Sequence, residues 1–126
     1  MARRILLIDD ERVSRLLTQT ILEKLGFEVD ILDDGRGAAQ ASIASEFAAI
    51  IMDCQMPHVD GFEATAEIRD RQAEAHAART PIIGLSARTM PGDEEVALAK
   101  GMDAYIMKPV SGEKLQTALE QVLDPQ

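Results

Sequence analysis

Residues 5–11 read Ile5-Leu6-Leu7-Ile8-Asp9-Asp10-Glu11, four apolar residues followed at once by three acids with no base between them. An unbroken apolar run of this length suits a strand covered on both faces, the habit of parallel sheets. Adjacent carboxylates repel, so three of them at the point where a strand leaves the interior need a reason to be there. The apolar run also recurs. Val29 to Leu32, Ala49 to Met52, Ile82 to Leu85 and Tyr105 to Met107 are further short apolar runs, each followed by helical periodicity.

The segments between them carry helix signals. Arg12 to Phe27 places Val13, Leu17, Ile21 and Leu25 at helical spacing, expected to form its core stripe, with Gly26 as the stop. Asp34-Gly35 reads as a turn and Arg36 to Ser45 as an Ala-rich helix. Pro57 and Gly61 bound a loop before a helix from Phe62 to about Ala78. Pro91 can open a fourth helix at its first position and Gly101 can end it. Ser111 is the expected N-cap of the last helix, which fades by Asp124-Pro125. Strand and helix in regular alternation predict an α/β fold, a doubly wound five-stranded parallel sheet with flavodoxin-like (βα)5 topology and strand order 2-1-3-4-5. No repeat, linker or low-complexity tract divides residues 1–126, which read as one domain.

Composition narrows the function. Thirteen Lys and Arg against 22 Asp and Glu leave a net charge of -9, which disfavours direct binding to nucleic acid, where phosphates need a basic patch. The single cysteine, Cys54, excludes an internal disulfide and fits a reducing compartment. No apolar run approaches the ~20 residues of a membrane span, and Arg3-Arg4 ahead of an acid-terminated run makes no signal peptide. The expected setting is cytoplasmic, without membrane insertion.

In doubly wound folds ligands bind outside the carboxyl ends of the strands. Those ends carry Asp9 and Asp10, then Asp53, then Ser86, then Lys108; Asp33-Asp34 follows the strand expected at the edge. Neighbouring acids coexist in ionised form when a cation lies between them. Oxygen-only donors suit a hard ion such as Mg²⁺, which takes one or two carboxylates and keeps several waters. Cys54, His58 and His76 form no soft-metal cluster and read as structural or incidental. A metal seat beside a lysine and a hydroxyl makes a receptor for phosphoryl oxygens, and the absence of a Gly-rich cradle argues against a resident nucleotide.

ILLIDDE, IIMDCQMPHVDGFE, PIIGLSA and DAYIMKP, in this order and spacing, resemble the motifs of the response-regulator receiver domain over essentially the whole chain. The MDCQMP…DG segment resembles receivers of the hybrid-kinase kind. The resemblance implies that Asp53 accepts a phosphoryl group from a phosphohistidine on a partner, a histidine kinase or a histidine phosphotransfer protein. It implies Mg²⁺ as cofactor, held by Asp10, Asp53 and the Cys54 main-chain carbonyl, with Asp9 acting mainly through water. Lys108 then pairs with phosphoryl oxygens and Ser86 hydrogen-bonds one of them. Ser86 and Tyr105 match the switch positions that couple the site to an output protein partner, and Lys108-Pro109 matches the family's cis peptide. Gln55 and Arg88, two positions after Asp53 and Ser86, are expected to tune the phosphoryl lifetime. Ser86 stands where Thr is commoner, and Gly84 where Ala is common, which should leave its strand less packed. Leu16 stands at a position often polar in the family, and Val13, Leu16 and Thr20 are the expected partner-docking residues.

The rival readings fit less well. A haloacid-dehalogenase-type phosphatase needs Asp-x-Asp after its first strand, where this chain has adjacent acids. A flavodoxin-type module needs a Ser/Thr/Gly-rich loop there, and three acids would repel a flavin phosphate. A degenerate receiver is disfavoured because all five site positions are intact. The chain is expected to be either a stand-alone receiver or one taken from a hybrid kinase, and to catalyse its own phosphorylation and dephosphorylation rather than act as a separate enzyme.

Overall fold

The computed structural model describes residues 3–87 and 90–123. Strands β1 (Arg4–Ile8), β2 (Glu28–Leu32), β3 (Ala49–Asp53), β4 (Ile82–Ser86) and β5 (Ala104–Met107) form one parallel sheet in the order β2-β1-β3-β4-β5. Helices α1 (Arg12–Lys24), α2 (Ala38–Ala44), α3 (Gly61–Glu74), α4 (Asp93–Lys100) and α5 (Gly112–Val122) fill the crossovers and follow the last strand. The expected fold class and strand order are therefore observed. No helix among the described residues is long and apolar enough to cross a membrane.

Each apolar run serves two cores because successive strand residues point to opposite faces. Ile5 and Leu7 of β1 pack with Leu22, Leu115 and Leu119 on the α1/α5 side, whereas Leu6 and Ile8 pack with Ala64, Ile68 and Met102 on the other. Every residue of β3 and β4 is buried. Burying each such Ile or Leu contributes about 1.5–3 kcal/mol. The edge strand β2 is only half-covered.

Several boundaries depart from the sequence reading. The stripe expected on α1 is wrong: Val13, Leu17 and Leu25 are exposed (74%, 44% and 36%), Ile21 is half-buried, and Thr18 and Leu22 face the sheet. Residues four apart are offset by about 40° on a helix, so three such steps drift through about 120° and leave one face. Pro91 lies in a turn rather than at the first position of α4, whose N-cap is Gly92 at φ +93°. The helix after Asp34-Gly35 begins as a 3₁₀ turn, Gly35–Gly37, and becomes α-helical only at Ala38. Helix α3 stops at Glu74, short of Ala78, because His76 adopts a left-handed conformation (φ +53°) and Ala77 N–H returns to Gln72 O at 2.9 Å. A non-glycine residue in that role leaves little trace in sequence. Ser111 caps α5 as expected, accepting from Lys114 N–H; Asp124-Pro125 lies outside the described residues.

Gly84 does not loosen β4. A Cβ there would overlap Met102 Sδ, so the methionine already fills the space.

At the opposite end of the sheet from the acids, Arg69 ties three elements together. Its guanidinium donates to Gly101 O, Thr80 O, Gln72 Oε1 and Asp103 Oδ2 at 2.7–3.1 Å, and Asp103 also takes Arg79 and the Ile82 N–H. Only 16% of the Arg69 side chain is exposed. Arg69→Met keeps the aliphatic packing but strands these acceptors, and should cost about 2–3 kcal/mol in urea unfolding. A loss below 0.5 kcal/mol would show that water replaces the network (order-of-magnitude threshold of about a surface substitution).

Candidate functional site

Strands β1 and β3 are adjacent although their helices lie on opposite faces, so a crevice opens at their carboxyl ends. The pairings Ile8↔Met52, Asp53↔Leu85 and Ser86↔Met107 bring the ends of β1, β3, β4 and the edge strand β5 to one level. Asp9 and Asp10 after β1, Asp53 at the end of β3, Ser86 at the end of β4 and Lys108 after β5 therefore converge from four strands.

The acids differ in setting. Asp9 is fully buried, Asp53 is 2% exposed, and Asp10 is open to solvent. One carboxylate oxygen from each lies within 4.8 Å of those from the others. Lys108 Nζ stands 3.4 Å from Asp9 Oδ2 and 3.6 Å from Asp53 Oδ2, with 13% of its side chain exposed. One cation faces a buried carboxylate pair, which leaves negative charge in excess. Burial, reinforced by the charge of Asp9, raises the Asp53 carboxyl to about 7, against the opposing pull of the Gln55 N–H and Lys108.

Asp9 has more support than a metal ligand alone would need. It accepts from Glu11 N–H and from Ser14 Oγ, both at 2.9 Å, and its main-chain carbonyl accepts from Arg15 Nη1 at 3.0 Å. Ser14 and Arg15 were missed in the sequence; the available signal was a hydroxyl one turn inside the helix that follows the acids. Their polarity also explains why the first turns of α1 face the sheet without an apolar stripe.

Glycine is required at position 61, where a Cβ would overlap the Asp53 carbonyl and Cys54 Cα. This lets α3 start against the end of β3. The Cys54 carbonyl accepts from Gly61 N–H at 3.1 Å, and its second lone pair can still serve a cation. The Cys54 thiol is buried and pushed up to about 12 by that burial and by the Asp53 charge, so it is unreactive near neutral pH. Three carboxylates and a carbonyl form an all-oxygen donor set suited to a hard divalent ion.

Ser86 is fully buried at the end of β4 and its Oγ accepts from Gln55 Nε2 at 2.8 Å. Gln55 belongs to the constellation; Arg88 lies outside the described residues. Tyr105 is half-buried against the α3/α4 core, and its hydroxyl is buried without a hydrogen-bond partner among the described residues. Beside it a groove of about 740 Å³ runs between α4, β5 and α5. The Lys108-Pro109 peptide is cis, as the motif implied. Val13, Leu16 and Thr20 are exposed on α1, the helix that follows Asp9 and Asp10.

Comparisons with known proteins agree with this arrangement. The profile of the response regulator receiver domain matches residues 5–120. The sensor histidine kinase GacS of Pseudomonas protegens is 39% identical over 114 residues, which span 90% of this chain but only 12% of that kinase. The crystallised receiver domain of the sensor histidine kinase PA1611 from Pseudomonas aeruginosa PAO1, with magnesium coordinated in its active-site cleft, aligns with a TM-score of 0.84 at 36% identity, over 96% of this chain and 97% of that one. The Vibrio cholerae chemotaxis protein CheY4 aligns with a TM-score of 0.85 at 29% identity, over 98% of this chain and all of that one (100%). The chain belongs to the response regulator receiver domain family, the acceptor modules of two-component phosphorelays.

Proposed function

We propose that Asp53 is the phosphoacceptor and that the strand-end cluster catalyses both its phosphorylation and its dephosphorylation. The observation that carries this reading is a nearly buried carboxylate 3.6 Å from a lysine ammonium, with a hydroxyl at the next strand end and two further acids beside it. An Asp53 oxygen attacks phosphorus, the phosphorus–nitrogen bond of a partner's phosphohistidine breaks, and the imidazole leaves with the electron pair. Such transfers pass through a loose transition state, so positioning and charge neutralisation supply most of the acceleration. Lys108 moves its charge from the carboxylates to the phosphoryl oxygens, and Ser86 offers one of them a hydrogen bond. Asp10, Asp53 and the Cys54 carbonyl, with Asp9 acting mainly through water, would hold Mg²⁺, which would supply the remaining neutralisation. In dephosphorylation water attacks phosphorus, the phosphorus–oxygen bond to Asp53 breaks, and inorganic phosphate carrying the water's oxygen leaves with the carboxylate restored. The acyl phosphate therefore has a finite lifetime, and Gln55 and Arg88 are the residues assigned to tuning it.

The proposed phosphodonor is a histidine kinase or histidine phosphotransfer protein in the cytoplasm, docking on α1. Single exposed apolar residues are ordinary, but Val13, Leu16 and Leu17 lie together at 74%, 61% and 44% exposure, and contiguous patches mark interaction surfaces. Thr20 continues the patch. Phosphotransfer from a phosphohistidine protein is the test. Leu16→Glu should slow that reaction by roughly ten-fold or more, the loss typical of a central apolar contact, while labelling by acetyl phosphate is unchanged. Equal slowing of both would remove α1 from the docking surface. For output, Ser86 and Tyr105 are the proposed coupling pair, passing the state of the site to the groove beside β5 and an output protein partner.

A further inference from the structure

Gln55 spans from the end of β3 to the end of β4. Its backbone N–H donates to Asp53 Oδ1 at 3.0 Å, its Nε2 donates to Ser86 Oγ at 2.8 Å, and its Oε1 accepts from Ala87 N–H at 2.9 Å. One residue thus holds the Asp53 carboxylate through its backbone and both the Ser86 hydroxyl and the Ala87 N–H at the end of β4 through its side-chain amide. The span is long in sequence: 31 residues separate Gln55 from Ser86 and 32 separate it from Ala87. Gln55 is itself an exposed residue, so solvent competes for its amide and the bridge can open without disturbing the core.

An amide carbonyl and a phosphoryl oxygen are alike in what they need, an N–H or O–H donor aimed at a lone pair. Ala87 N–H already has such an acceptor, supplied from within the chain. We infer that the Gln55 side chain is an internal stand-in for the phosphoryl group, which must rotate away from Ser86 and Ala87 before Asp53 can be phosphorylated. The inference rests on the reading of Asp53 as phosphoacceptor and adds a gating step to that site. No covalent bond is made or broken by the gate; the Ala87 N–H exchanges the Gln55 Oε1 acceptor for a phosphoryl oxygen, and Ser86 Oγ changes from accepting the Gln55 Nε2 hydrogen to donating its own.

Two consequences follow from the geometry. Entry of a phosphoryl group competes with an intramolecular contact, so the free site is closed for part of the time and access falls by that fraction. Ala87, the residue after β4, is also tied to Gln55 beside Asp53 before any phosphoryl group arrives. Phosphorylation then replaces the acceptor that holds this residue, and the released Gln55 amide is left at the mouth, where it can meet the hydrolytic water.

The test uses the intact chain and the variants Gln55→Ala and Gln55→Asn, the second keeping an amide too short by one methylene to bridge. Acetyl phosphate with Mg²⁺ should label both variants roughly five-fold faster than the parent, the factor for losing about one net hydrogen bond. In ¹H–¹⁵N NMR spectra of the metal-free, donor-free protein, the Ala87 amide should shift upfield and exchange faster with solvent in both variants. Gln55→Glu, which keeps an acceptor for Ala87 N–H but adds an acid, should leave that resonance near its parental position and label more slowly than the parent. Labelling of Gln55→Ala and Gln55→Asn at or below the parental rate, or an unmoved Ala87 amide in both, overturns the gate. A parallel Asp53→Asn sample separates the two levels: an adduct surviving there sinks the phosphoacceptor reading, whereas an adduct confined to Asp53 with unchanged rates sinks only the gate.

Discussion

Without divalent metal, Asp53→Asn should be more stable than the parent protein at pH 8, by about 2 kcal/mol, and the advantage should vanish near pH 4. The sign follows from the Asp53 carboxyl, which burial and the neighbouring Asp9 raise from 3.8 to about 7. Below 3.8 the group is protonated in both folded and unfolded chains and exerts no penalty. As pH rises towards 7 the unfolded chain releases its proton freely while the folded one resists, so stability is lost through this window. The displacement of about three pH units sets a ceiling of ~4 kcal/mol. About half of this is expected, since the mouth of the site can admit water to the ionised form. Asn keeps the shape and removes the charge, so its stability should be flat in this respect. Mg²⁺ should stabilise the parent by roughly 1.4 kcal/mol at ten times its dissociation constant and the variant by much less. Urea unfolding of both proteins at pH 4, 6 and 8, in chelator and in Mg²⁺ at matched ionic strength, gives all these quantities. An Asn variant less stable than the parent at pH 8 in chelator would show that the carboxylate is a satisfied structural group rather than a strained metal seat.

Of the three acids of the site, Asp9, Asp10 and Asp53, two carry most of the repulsion. Asp10 is solvated, while Asp9 and Asp53 share the interior with Lys108 as their common cation. Asp9 is also supported by Glu11 N–H and Ser14. Substituting Asp53 is therefore the sharper probe.

Much of this arrangement is legible from residues alone. Unbroken apolar runs such as Ile5 to Ile8 and Ala49 to Met52 specify buried parallel strands, and parallel strands put function at their carboxyl ends, which is where Asp9, Asp53, Ser86 and Lys108 stand. What sequence conceals depends on contacts between distant segments or on small angular offsets. Leu17 and Leu22 both lie at helical spacing from other apolar residues, and which of them turns inward shows only once Leu22 packs into the core and Ser14 meets Asp9. Gly84 looks like a packing defect until Met102 is seen to occupy its space. Arg69 reads as one more surface cation, and the Gln55 bridge to Ser86 and Ala87 has no local signature at all.

The second large effect is chemical and bears directly on the central claim that the strand-end acids exist to phosphorylate one of their number. Asp9 and Asp53 are both buried carboxylates beside Lys108, so the assignment to Asp53 is a choice between neighbours. Asp9 is engaged by Glu11 N–H and Ser14 through its two oxygens, whereas Asp53 ends β3 beside the end of β4, with Lys108 near one oxygen and the Gln55 N–H on the other. The decisive measurement is intact-mass spectrometry with peptide mapping after incubation with acetyl phosphate and Mg²⁺, on the parent and on Asp53→Asn. One added phosphoryl group is expected on the parent, carried by the peptide containing Asp53, and none on the variant under the same conditions. A comparable adduct on the variant, or a parental adduct on the peptide containing Asp9 and Asp10, would contradict that assignment.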